Sequence, residues 1–155
     1  MGYLKVTALF NKNVFRLELN ANDVKQFKIM DQEVDSPDRV YEFSITSKLV
    51  IVTASDRDFR NGAKTAPWKK DDRRINNINA YDWDGNVLWN IGDIVGDIKT
   101  PFLGGWVTTK EILQEGGTEV ECPASHDLFM CFADARRYII DLEERKVVKV
   151  ETGKF

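Results

Sequence analysis

Histidine is almost absent from this chain of 155 residues: His126 is the only one. That excludes any metal centre drawing two or more imidazoles from one chain. Cysteine is nearly as scarce, with Cys122 and Cys131 alone. They lack the C-x-x-C spacing of zinc and redox motifs and fall within expected strands. They therefore read as buried or neutral reduced thiols, not as a disulfide or metal pair. No metal and no other cofactor is expected. No apolar run approaches the roughly eighteen residues a membrane helix needs. The opening Met1, Gly2, Tyr3, Leu4, Lys5 lacks the basic start and apolar stretch of a signal peptide. Val6 stands where a myristoylation signal needs Ser or Thr. A cytoplasmic location with no membrane partner is expected. Neither charge sign dominates: 22 Lys and Arg meet 25 Asp and Glu, net −3. By itself this balance implies neither a nucleic-acid footprint nor an acidic tail.

Apolar residues are plentiful, at 43% hydrophobic and 11% aromatic. A single domain over residues 1–155 buries roughly two-thirds of its unfolded surface at this length, with no need of disulfides. Leu4, Val6, Ala8 and Phe10 alternate with polar neighbours, the period of a strand with one buried face. After Asn11, Lys12 and Asn13, the stretch Val14 to Leu19 repeats that alternation. Asn20, Ala21, Asn22 and Asp23 form a turn cluster, and Val24 to Met30 closes a hairpin. The same grammar returns in Leu49 to Val52, Ile78 to Trp83 and Val87 to Ile91, with a turn at Asp84, Gly85, Asn86. Asp-Gly is a strong hairpin signal because glycine accepts positive φ without a steric cost. Loops of two or three residues both pair apolar positions there, so the face carrying Tyr81 stays open.

A third copy runs Leu128 to Phe132, Arg137 to Leu142 and Lys146 to Val150, bending at Glu143, Glu144 and Arg145. Arg39 to Thr46 and Thr118 to Cys122 are further candidate strands, as though the second and third copies were four-stranded. Helix is scarce: Ile91 to Ile98 has helical spacing weakened by Gly92 and Gly96. Thr108 with Glu111 is a capping box opening a short turn that Gly116 and Gly117 stop. The expected class is mainly β, with antiparallel hairpins in three blade-like repeats at about 3–30, 39–91 and 118–151. These pack as a sandwich, a distorted barrel or an incomplete propeller, with one or two short helices.

Tyr81, Asp82, Trp83, Asp84, Gly85, Asn86, Val87, Leu88, Trp89 resembles the inner hairpin of β-propeller blades. The likeness is to quinoprotein-like repeats, with their Asp-Gly turn followed by an aliphatic residue and Trp. It covers about a dozen residues, and Tyr138 to Val150 is a degenerate echo. A closed propeller needs at least about four blades, and three units are visible. Propellers serve many unrelated functions, so the resemblance implies no functional residue.

The first and second strands of the outer copies are joined by short links, whereas the middle copy carries an insertion over residues 55–75. Loops of that length inside a compact domain are uncommon and usually functional or disordered. Between Asp56 and Arg74, seven basic residues (Arg57, Arg60, Lys64, Lys69, Lys70, Arg73, Arg74) stand against four acidic ones. This net +3 leaves −6 on the rest of the chain. Trp68 lies among those cations, suited to anchoring a protein partner or stacking on a base. These eight residues form the expected binding set.

Other motifs are incomplete. Gly62, Ala63, Lys64, Thr65 lacks the glycines of a phosphate loop. Asp82, Asp84 and Asn86 begin like a calcium loop, but Val87 replaces its glycine and Asp93 its final Glu. His126 sits between Ser125 and Asp127, an adjacency that carries no weight for a triad assembled in space. Pro101 to Val107 reads as core, or else as an exposed aromatic patch. No nucleophile constellation is complete, so the expectation is a non-enzymatic protein-interaction module, inhibitor-like or immunity-like, with a protein partner and scope for self-association. The alternatives are nucleic-acid or polyanion binding through the basic 56–74 loop, and a carboxylate-dependent enzyme using Asp82 and Asp84.

Overall fold

The computed structural model describes residues 3–20, 25–37, 39–54, 75–96 and 98–153. Among them are twelve strands in three antiparallel sheets of four, and two short helices. The first sheet is β1 (Tyr3–Phe10), β2 (Asn13–Asn20), β3 (Gln26–Ile29) and β4 (Gln32–Asp35). The second is β5 (Val40–Ile45), β6 (Val50–Ala54), β7 (Ile78–Tyr81) and β8 (Val87–Asn90). After the single-turn helix α1 (Gly92–Val95) come β9 (Gly105–Thr109), α2 (Lys110–Glu115), β10 (Asp127–Ala133), β11 (Arg136–Asp141) and β12 (Lys146–Thr152). Each sheet is a meander in which sequence neighbours are spatial neighbours, and none closes into a barrel. No helix among the described residues is long and apolar enough to cross a membrane.

Turn chemistry sets the registers. Asn11 and Lys12 both adopt left-handed φ, 49° and 66°, and link the pair Phe10 and Asn13. Asp134 and Ala135 do the same between β10 and β11, at 54° and 57°. Such two-residue turns twist in the sense the strands require. At the Asp-Gly turn, the Asp82 amide donates to Asn86 O at 2.9 Å and the Gly85 amide to Asp82 O at 3.1 Å. The loop is therefore three residues, Trp83 to Gly85, with Gly85 at φ 89° supplying the left-handed step. That register turns Tyr81 inward.

The described chain divides into two compact units. One comprises the described residues up to Ala54 together with Ile78–Trp89; the other comprises residues 75–77 and those from Asn90 onward. In the first, Leu17, Phe27, Ile29 and Val34 of the first sheet share a core with Val50, Val52 and Tyr81 of the second. Two blade-like sheets thus pack face to face. Phe27 sits at 5.4 Å from Phe43 and 5.6 Å from Tyr81, both edge-on. Trp83 closes one side, its ring 4.7 Å from Phe15 and its Nε1 donating to Thr46 O at 3.0 Å. In the second unit, Leu128, Met130 and Ile139 of the third sheet pack with Leu113 of α2 and with Val120. The pairing of β11 with β12 slips between Ile139 and Ile140. This bulge lets Val148 join the same core.

Several expectations are corrected. Thr118 to Cys122 is not a strand; β9 at Gly105–Thr109 is the fourth strand of the third sheet. Val120 of the expected strand is buried in the core and Cys122 packs against it, both as anchors of irregular chain. β4 has one core residue, Val34, and so no alternation to read; its pairing with β3 supplies the structure. The cap of α2 is Thr109, whose Oγ1 accepts from the Ile112 amide at 3.2 Å, because Thr108 is buried within β9. Residues 21–24, and 55–74 of the expected insertion, lie outside the described residues; Ile75 is buried.

Phe27→Ala removes a ring locked between two others, with an expected cost of about 3–5 kcal/mol. Equilibrium urea unfolding followed by tryptophan fluorescence checks this, and a loss below about 1 kcal/mol contradicts the shared core.

Candidate interaction site

Pro101 to Val107 was readable as core or as exposed surface, and the structure divides it residue by residue. Phe102 is fully buried. The Asn77 side-chain amide donates to Phe102 O at 2.9 Å and accepts from its amide at 2.8 Å, standing in for a neighbouring strand. The Phe102 ring meets Tyr138 edge-on at 6.0 Å. Beyond this anchor the chain emerges. Leu103 is 63% exposed although its amide donates to Phe132 O at 3.0 Å, and Trp106 is 50% exposed.

Gly105 explains how β9 lies so close to β10. A Cβ there would fall 2.5 Å from Met130 O and 2.6 Å from the Phe129 ring, so only glycine fits without displacing the strand. Trp106 faces Met130 across the ladder, and its ring lies 5.4 Å from that of Phe132. Phe132 in turn faces Arg137, which faces Glu151. Arg137 Nε donates to Glu151 Oε1 at 2.8 Å, and its Nη2 pairs with the same oxygen. An aromatic centre bordered by a neutralised ion pair is the anatomy of a protein-contact patch, with apolar anchors inside and polar groups outside.

His126 belongs to a different arrangement. Asp141, fully buried, accepts from the amides of Glu143 and Glu144 at 3.0 Å each and meets His126 Nδ1 at 2.8 Å. His126 Nε2 meets Glu143 Oε2 at 2.9 Å. The Asp141 hydrogen bond is the main cause that raises the imidazole above its ordinary value of 6.5, aided by the charges of Asp141, Glu143 and Glu144. Burial alone would raise the Asp141 carboxyl; His126 and the two turn amides overcome it and hold the group below its usual range. With both ring nitrogens occupied by carboxylates, the imidazole staples the β11–β12 turn to the turn preceding β10. A general base would need Nε2 turned toward a nucleophile. Donor atoms of His126, Asp141 and Glu144 lie within 4.8 Å of one another, close enough for a cation. They are satisfied without one: Asp141 by His126, Glu144 by Lys146 Nζ at 2.7 Å.

The remaining sequence candidates fall out as follows. Arg57, Arg60, Lys64, Trp68, Lys69, Lys70, Arg73 and Arg74 lie outside the described residues. The Asp82 carboxylate accepts from the amides of Asp84 and Asn86 and from Asn86 Nδ2, at 2.9–3.1 Å, so it caps its own loop. Burial would raise its carboxyl, but those donors hold it low. Cys122 and Cys131 are both free, and burial raises both thiols, the opposite of an activated nucleophile. The recess lined by Asn20, Gln26, Phe27, Lys28 and Glu33 offers about 10 Å³, room for about one water. No family model matches the chain, and neither a curated protein nor a solved structure matches it.

The raised imidazole fixes a sign. Its contribution to stability is full below the unfolded value near 6.5 and is lost as pH rises through the higher folded value. The urea midpoint is therefore expected to fall as pH rises above about 6.5. His126→Gln flattens that decline; an unchanged slope in the variant contradicts the staple. Gly105→Ala is expected to loosen β9 from β10, read as accelerated amide exchange at Trp106 and Val107, with protection in the first sheet unchanged.

Proposed function

We propose that this chain is a non-enzymatic protein-interaction module of the inhibitor-like or immunity-like kind, working in the cytoplasm. The observation that carries the reading is the pairing of the half-exposed Trp106 with Phe132 on the third sheet, beside exposed Leu103. Tryptophan on a rigid strand offers a large contact area at small entropic cost, which is why it dominates interface energetics. Exposing it to water without a partner gains the protein nothing. The described carboxylates and thiols support binding over catalysis, since Asp82 and Asp141 are committed to turns and neither cysteine is activated. Two free thiols suit a reducing compartment. The alternative polyanion reading rests on the basic stretch from Asp56 to Arg74 alone.

Crosslinking tests the reading. A photoreactive residue at position 103 is expected to capture one discrete protein. Trp106→Ala is expected to weaken that complex by about 2 kcal/mol, roughly thirtyfold, while Trp106→Phe retains much of the affinity. Capture that is equal in wild type and Trp106→Ala overturns the proposal.

A further inference from the structure

The outer edge of β1 is the longest open edge of the first sheet, and its hydrogen-bonding groups can be assigned. A two-residue turn of the Asn11–Lys12 type closes on a pair, here Phe10 and Asn13, that exchanges both backbone bonds. Alternation then gives bonded sites to Ala8 with Phe15 and to Val6 with Leu17. The amides and carbonyls of Tyr3, Lys5, Thr7 and Leu9 point the other way. β1 ends the strand order of its sheet, so no described strand takes them. The strand is accessible as well: Lys5 and Thr7 are exposed, Val6 is 37% exposed and Leu9 68%. Most edges are blunted by proline, a bulge or several charges. Over its eight residues β1 has an unbroken register, no proline and one charge, Lys5.

We propose that this edge pairs antiparallel with β1 of a second copy of the chain, about a twofold axis through Val6. The sequence is complementary to itself only in a narrow set of registers. Centred on Val6, Lys5 faces Thr7 of the second copy and Tyr3 faces Leu9, so every outward group is used. Four facing pairs give about eight backbone hydrogen bonds. Centring on Lys5 sets two ammonium groups opposite each other, which is destabilising. Centring on Thr7 strands Tyr3 beyond the partner's turn and leaves about six bonds. In the Val6 register, the side chain of Val6 shares a face with Leu17 and meets its own copy at a non-bonded site. There the Cα atoms approach to about 4.5 Å, the closest spacing an antiparallel pair offers. The exposed Val6 thereby gains a neighbour, and two four-stranded sheets become one continuous sheet. Trp106 belongs to the other unit.

Analytical ultracentrifugation of the full chain over a concentration series is expected to show a monomer–dimer equilibrium. Val6→Lys places like charges at the axis and is expected to raise the dissociation constant about tenfold or more. Thr7→Pro removes an amide that no described strand accepts and is expected to do the same, with circular dichroism unchanged for both. Site-specific oxidation supplies a readout that misfolding does not mimic. In a Cys122→Ser background, Val6→Cys is expected to form an interchain disulfide, whereas Lys5→Cys alone does not and crosslinks only when mixed with Thr7→Cys. A wild type that stays monomeric throughout overturns the proposal. So does a dimer indifferent to both substitutions, or crosslinking equal at positions 5 and 6. Trp106→Ala is expected to leave the dimer intact, which separates failure of this proposal from failure of the partner-binding reading.

Discussion

Parity at the tight turns is the constraint on which the rest depends. Side chains alternate faces along a strand, so a slip of one residue would move an entire apolar row from core to water. The left-handed pairs Asn11–Lys12 and Asp134–Ala135 fix that parity in the first and third sheets, and the three-residue loop closed by Asp82 and Asn86 fixes it in the second. Leu17, Tyr81 and Ile139 face inward because of these turns. The same parity directs the amides of Lys5, Thr7 and Leu9 away from β2, and presents Trp106 on the face shared with Met130 and Phe132.

The two polar anchors of the third sheet have a common logic. Asn77 offers its side-chain amide to both backbone groups of Phe102, and Asp141 offers its carboxylate to two turn amides and an imidazole. Each replaces a missing strand or turn bond at a buried position, where an unpaired backbone group costs about 1–3 kcal/mol. By holding Phe102 inside, Asn77 lets the chain emerge at Leu103 and reach the sheet again as β9. The exposed aromatic patch is thus positioned by a buried amide.

Strands were legible where apolar and polar residues alternate, as in β1 and β2, where an apolar run is bounded by turn residues, as in β10, and where turn chemistry is strong, as at Asp84–Gly85. It was illegible where one residue does the packing. β4 contributes Val34 alone, and Val120 sits within a β-branched stretch that reads as a strand but is irregular. β9 was hidden because its signal, Gly105 to Thr109, begins with a glycine whose purpose is close approach to Met130 O, a fact of tertiary packing. The Asp141–His126 contact spans fifteen residues, and no local pattern couples the two. The Asp-Gly signal marked a turn between β7 and β8 but left its length open, and the backbone bonds of Asp82 fix it at three residues.

A solitary imidazole has a practical consequence. Because His126 is the chain's only histidine, its ring protons form a single isolated pair of resonances, free of overlap with others of their kind. Its two carboxylate neighbours lie at the β11–β12 bend, so those resonances report whether that hairpin end is docked, without any label. The fold thus carries an intrinsic probe at one of its bends, far in sequence from the strand edge.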